Sequence, residues 1–268
     1  MSSTISAAFL LCAPLLGAGA LAAQSGPIRY APGSHRYRVT STVTYVQEAH
    51  GRKAKVDIDT HQQVTIKVAA HGRDTLDYEI TLDSITVSSK PAIPLPDVTD
   101  YVGLSVKGAM STGGKVFSLT PSIDSAGNPA VQQFVEGLRH FLVAFPANAK
   151  VGSSWADTIT AAASPNGQAV DSRTITTSRV AGDTAYAGQK AWRVERSIGT
   201  AIKGTVDQGG QPFPVEGNGT GSASFYVSQS GVYLGSTMSQ KMTITSTAPD
   251  GTPQPITQTA VSKTELIP

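Results

Sequence analysis

Asp57, Asp59 and His61 recur at every second position of the run KVDIDTHQQVTIKV, residues 55–68. All three are metal-ligand types, and on an extended strand alternate residues share one face. A hard cation, however, takes roughly six to eight oxygens, commonly from a loop that wraps around it. One straight strand offers no such closure, and the alternation assigns the set to a solvated outer face. Asp77, Glu79 and Asp83 repeat the situation on the next alternating run. General acid–base chemistry needs carboxylates in a desolvated cleft, with their pKa values driven apart. An outer sheet face supplies neither condition. Arg193 and Glu195 flank Val194 on the side opposite Trp192, which reads as a solvated ion pair of little energetic worth.

Other chemistry-bearing residues are sparse. His50 and His71 stand beside Gly51 and Gly72 in turns, and His140 lies on the polar side of a helical stretch. The one cysteine, Cys12, sits inside an apolar leader, so the chain beyond it has no thiol and no disulfide. No Gly-x-Ser-x-Gly, His-Glu-x-x-His, phosphate-loop or dinucleotide pattern occurs. The expectation is no catalytic residue, no metal and no cofactor. A hydrolase therefore ranks behind a binding or a structural protein.

Composition narrows the partners. Lys and Arg number 21 against 19 Asp and Glu, for a net charge of +2, and no basic cluster exceeds GRKAK at 51–55. Nucleic-acid binders concentrate far more positive charge on one face, so a nucleic-acid partner is not expected. Charged residues make up 15% of the chain, below the about 25% of an average soluble protein. The first 23 residues carry no charge, and AAFLLCAPLLGAGALA (7–22) ends in small residues. This is the pattern of a signal peptide with an exit near Ala20-Leu21-Ala22. Cys12 follows Leu10-Leu11 and precedes more apolar sequence, the placement of an ordinary leader residue rather than a lipidated one. The run is too short and too broken by Gly and Pro to span a bilayer, and no second span follows. The mature chain is expected to be periplasmic or secreted.

The elements that would position a site are mostly strands. Val56, Ile58, Thr60, Gln62, Val64, Ile66 and Val68 form one face of a long strand, with two polar residues at its middle. Those two, Thr60 and Gln62, hint at a polar or hydrated spot inside. Tyr37 to Tyr45 alternates before it, and Leu76, Tyr78, Ile80 and Leu82 after it. The alternation slips near Ser84, which predicts a β-bulge or a strand end there. KPAIPLPDVTDY (90–101) is a proline-broken loop. Strands resume at 104–110 and 115–119. Asn128 and Pro129 then open a helix over 129–145, with Val131, Phe134, Val135, Leu138, Phe141, Leu142 and Phe145 on one stripe and Pro146 at its end. Further strands are expected at 157–162, 171–180, 190–198, 202–207, 221–228, 232–247 and 255–266. In the 232–247 run Val232, Leu234, Met238, Met242 and Ile244 form the apolar set, and Tyr233, Thr237, Lys241 and Thr243 alternate with them. The Gly- and Pro-rich segment 207–222 reads as a mobile hairpin loop with Phe213 near its tip.

The fold expected is mainly β: a long-stranded antiparallel meander sheet, curled like a half-barrel around one amphipathic helix. It forms one domain over 24–268, with sheet halves at 35–120 and 155–266 on either side of helix 129–145. AFPANAKVGSSW (144–155) joins the helix to the second half. Gly152 suits a conformation other residues resist, Ser153 and Ser154 can satisfy backbone groups, and Trp155 offers a large face to pin the corner.

That Pro…Lys-Val-Gly-x-x-Trp corner, with the exported leader, the strands of 37–87 and the helix, resembles uncharacterised exported β-rich bacterial families akin to the LolA/LppX-like lipoprotein carriers. The resemblance implies a sheet enclosing a lipid-sized cavity, and a lipid or lipidated protein as partner. Candidate lining residues are Val56, Ile58, Val64, Ile66, Tyr78, Ile80, Phe134, Leu138, Phe141 and Leu142. The same residues would fill a solid core, in which case the protein is a structural or adhesive component of the envelope. The sequence leaves the oligomeric state open.

Overall fold

The computed structural model describes residues 26–49, 52–95, 97–122, 131, 135, 137–163, 169–208, 211–247 and 252–268. The leader and Cys12 lie outside these, as do Phe134 and most of the first two turns expected of the helix.

Eleven strands follow one another among the described residues: β1 (Gly33–Ala49), β2 (Arg52–Ala70), β3 (Thr75–Lys90), β4 (Ser105–Ser111), β5 (Val116–Pro121), β6 (Ser154–Ala163), β7 (Ala169–Tyr186), β8 (Gln189–Gln208), β9 (Gln211–Ser228), β10 (Tyr233–Thr247) and β11 (Pro253–Ile267). They form one sheet in the order β5-β4-β3-β2-β1-β11-β10-β9-β8-β7-β6, and the sheet is not closed into a barrel. Every pairing is antiparallel. Each meander is local in sequence, and the pairing of β1 with β11 joins the two into one surface.

The strands are long because the two-residue alternation persists with few breaks. Val, Ile, Thr and Tyr dominate the runs and pack well on a pleated surface. Where alternation slips, the register slips too. Asp83 is the extra residue of β3 opposite the Gln63–Val64 step, one position from the expected site at Ser84. A second irregularity lies between Tyr233 and Gly235. It turns both Tyr233 and Leu234 inward, at 3% and 0% exposure, so the expected outward Tyr233 is corrected.

Three other expectations change. Most of the segment 207–222 is strand rather than mobile loop: Pro212, Phe213, Pro214 and Val215 pair with β8 residues, and β9 runs through Gly217, Gly219 and Gly221. Gly217, Gly219 and Gly221 fall at alternate positions. A Cβ there would lie 2.8, 3.1 and 2.8 Å from the Thr243, Lys241 and Ser239 carbonyl oxygens of β10. Only glycine lets the two backbones cross so closely, so a row that reads as loop composition is a packing requirement. The runs 190–198 and 202–207 are one strand, β8. The helical stripe also ends early. Val131, Val135 and 137–139 have helical backbone, but the chain turns at His140, and Phe141, Leu142 and Phe145 lie beyond it.

The core gathers at one end of the sheet. Tyr37, Val64, Ile66, Tyr78, Ile80, Leu82, Val106 and Met110 from β1–β4 meet Val180, Val194, Phe225, Val227 and Tyr233 from β7–β10. Ile28 and Tyr30 close it from the N-terminal side, and Val131, Val135, Leu138, Leu142, Val143 and Phe145 cover it. The Tyr30 hydroxyl donates to the Val143 carbonyl at 3.0 Å, and Tyr37 donates to the Tyr233 carbonyl at 2.9 Å.

Candidate functional site

Register aligns the inward residues in rows that cross the strands. One row runs Gln62, Val39, Thr264, Ser236, Phe225, Val194, Val180. The next runs Thr60, Ser41, Ser262, Met238, Ala223, Arg196, Ser178, Trp155. A third runs Ile58, Val43, Ala260, Gln240, Gly221, Ile198, Thr176, Asp157, and a fourth ends in Thr200, Thr174 and Ile159.

Residues of these rows, with segment 137–144 above them, line a partly open cavity of about 700 Å³. Val116 of β5 and Trp155 of β6 both touch it, although these strands are the opposite edges of the sheet. The sheet must therefore bend far enough to bring its edges to one space. The lining is mixed. Val39, Val64, Leu138, Phe141, Leu142 and Met238 give apolar wall, while Gln62, Thr174, Thr176, Thr200, Gln240, Ser262 and Thr264 give hydroxyls and amides. Gln240 donates to the Thr200 hydroxyl at 3.3 Å, which lies 3.2 Å from that of Thr174.

Arg196 is a cation of the strand-borne lining. Its Nε donates to the Ser178 hydroxyl at 2.9 Å, and its guanidinium carbon sits 4.8 Å from the centre of the Phe225 ring. Burial pulls its pKa below the ordinary value, partly offset by nearby groups that include Asp157. Asp157 also lines the cavity and accepts the Thr158 backbone N–H at 2.8 Å. Lys115, Arg139 and His140 also line the cavity.

The sequence-derived lining residues divide. Val64, Leu138, Phe141 and Leu142 line the cavity. Ile66, Tyr78 and Ile80, at 3%, 2% and 0% exposure, belong to the packed core. Val56 and Ile58 share the inward face of β2, are half-buried, and do not touch the cavity. Phe134 lies outside the described residues. Of the polar pair singled out in the sequence, Gln62 lines the cavity.

The carboxylate sets take outer-face partners. Asp57 accepts from Thr44 at 2.6 Å and Lys55 at 2.8 Å, and Asp59 accepts from Thr42 at 2.6 Å. Lys55 and Thr44 lower the Asp57 pKa. Asp77 faces His71 at 3.1 Å, and Asp83 accepts from Thr65 at 2.7 Å. Glu79 sits between Lys67 and Lys107 and accepts from Ser105 at 2.9 Å. Burial raises its pKa, but the Ser105 bond and the two lysines outweigh that and hold it below the usual value. Arg193 and Glu195 pair at 3.0 Å, both exposed. Among the described residues no group of three His, Cys, Asp or Glu could hold a metal.

The corner before β6 is a turn. Gly152 has φ +86°. Ser153 N–H donates to the Lys150 carbonyl, and the Ser153 hydroxyl accepts the Lys150 N–H at 3.0 Å. Trp155 packs on Phe145 with ring centres 5.9 Å apart, and it also lines the cavity.

No family model and no curated protein matches the chain. Solved structures resemble it in part. Lipovitellin, in a study of its lipid–protein interactions, is 8% identical with a TM-score of 0.43; the match covers 89% of this chain but only 25% of lipovitellin. DynF from the dynemicin pathway of Micromonospora chersina is 10% identical with a TM-score of 0.27, over 90% of this chain and 85% of that one. A Vibrio parahaemolyticus domain named for outer membrane lipoprotein sorting is 8% identical with a TM-score of 0.22, over 86% and 83%. At such values no residue or activity is carried from these proteins. Among the described residues no helix is long and apolar enough to cross a membrane.

Proposed function

We propose that this is an exported envelope protein with a carrier-like domain that binds an apolar ligand, a lipid or a lipidated partner. Residues 1–23 act as the signal peptide, and residues 24–268 form one domain, a half-barrel around the helical segment. The observation that supports this reading is the cavity of about 700 Å³ between the inward rows and segment 137–144. Its size falls within the roughly 300–1,000 Å³ of small-molecule sites, and its mixture of apolar wall and a few polar groups is their usual make-up. Val64, Leu138, Phe141 and Leu142 contact the ligand. Ile66, Tyr78 and Ile80 form the floor that keeps the space from collapsing. Val56 and Ile58 extend the apolar track along β2.

Native mass spectrometry of the protein purified from its host envelope, followed by lipid extraction, tests the proposal. A stoichiometric lipid is expected. Empty protein that also fails to take up a neutral hydrophobic fluorophore would overturn it and favour a structural role.

A further inference from the structure

We infer that the cavity takes a single-tailed amphiphile with an anionic head group, and that Arg196 receives that head group inside the cavity. The inference rests on the carrier reading and specifies its ligand. Arg196 stands on an inward row between Ala223 and Ser178. Phe225 supports the guanidinium on one face and Ser178 holds Nε, which fixes the plane of the group. Its terminal nitrogens have no hydrogen-bond partner among the described residues, and no described carboxylate lies within 4.0 Å of it. Among the described residues only the Tyr78 hydroxyl is a buried polar side-chain atom without a partner, so the Arg196 terminal nitrogens reach the cavity space and stay free to meet an anion. Its planar fork matches a carboxylate or a phosphate two atoms at a time.

The rest of the lining agrees in sign. Among the described lining residues Lys115 and Arg196 face one carboxylate, Asp157, which stands in the row adjacent to Arg196. The tail has its own wall in Val39, Val64, Leu138, Phe141 and Met238. Thr174, Thr176 and Thr200 stand with Arg196 on β7 and β8, while Val39 and Val64 on β1 and β2 and Leu138, Phe141 and Leu142 in segment 137–144 give apolar wall.

The test compares dodecanoate, dodecyl phosphate and dodecanol on the full mature protein, below their micelle concentrations, by displacement of a neutral fluorophore. Both anions should bind about tenfold or more tightly than the alcohol, the margin of a charge-assisted hydrogen bond. Arg196→Gln should bring the anions down to the alcohol's affinity and leave dodecanol unchanged. Arg196→Lys should fall between, since it keeps charge but loses the fork. The better anion identifies the head group as carboxylate or phosphate. Equal binding of all three probes, or anion binding untouched by Arg196→Gln, overturns the inference and leaves the carrier reading standing. Binding of none removes both. Should Arg196→Gln fail to fold, the ranking of the three probes on the unaltered protein decides.

Discussion

The same long strands build two different interiors. Toward one end their inward residues are Tyr37, Ile66, Ile80, Val180 and Val227, which are buried together in the core. A few residues further along, the inward positions become Gln62, Ser262, Gln240, Thr200 and Thr174, and the space between the sheet edges stays open. Apolar side chains close a volume because each contact removes surface from water. Hydroxyls and amides gain nothing from closing unless every one finds a partner. Backbone architecture is common to both ends, so side-chain chemistry along each strand sets where core stops and cavity starts.

The largest way to break the comparison is alkaline pH. Tyr30, Tyr37, Tyr78 and Tyr233 sit together in the dry end; burial raises the pKa of each, and their mutual repulsion on ionising adds to this for Tyr30, Tyr37 and Tyr78. A folded pKa raised above the unfolded value gives stability that is complete below about pH 10 and is lost as pH climbs toward the folded values. Each withheld ionisation is worth up to about 1.4 kcal/mol per pH unit in that window. Urea midpoints should fall steeply above pH 10, with the tyrosinate absorbance of these four residues appearing only as the fold is lost. Ionisation of these four near pH 10 in intact protein would contradict the dry end.

Ile80→Ala comes next. With the side chain at 0% exposure, the loss should be about 3–4 kcal/mol in denaturant unfolding. A loss under about 1 kcal/mol would mean that this end is as loose as the other. Trp155→Ala lies on the boundary, half-buried between Phe145 and the cavity. It should cost about 2 kcal/mol, less than a fully buried tryptophan, and should weaken binding of a neutral hydrophobic fluorophore. Full stability loss with unchanged binding would return Trp155 to a purely structural role. Gln62→Leu, in the cavity end, should change stability by less than about 1 kcal/mol in either direction. A calorimetric melt that drops as far as Ile80→Ala would show that Gln62 belongs to a filled core.

Much of this was legible along the chain. The alternation around Val64 and Ile80 places those residues inside, and Thr60 and Gln62 mark where the inner face turns polar. The slip beside Ser84 appears as the Asp83 bulge. The carboxylates of β2 and β3 lie on the outer face that their parity assigns. Other features depend on partners that a single strand does not display. Gly217, Gly219 and Gly221 are turn-like by composition, and only the closeness of β10 makes them strand residues. Tyr233 turns inward because of a register irregularity set by β9. Phe141 keeps helical spacing from Leu138 although the chain has already left the helix at His140.

What the sequence by itself determined is local: which face of each strand is apolar, and the break in pattern at Pro146 and Gly152. A period of two needs no distant partner to be read, since the pleat alone sends neighbours to opposite sides. Only the tertiary structure decided that β1 pairs with β11, that both sheet edges reach one cavity, and that Arg196 faces into it beside Phe225 and Ser178. Those outcomes depend on registers between strands far apart in the chain, and register is fixed by the sum of all cross-strand fits rather than by any one segment.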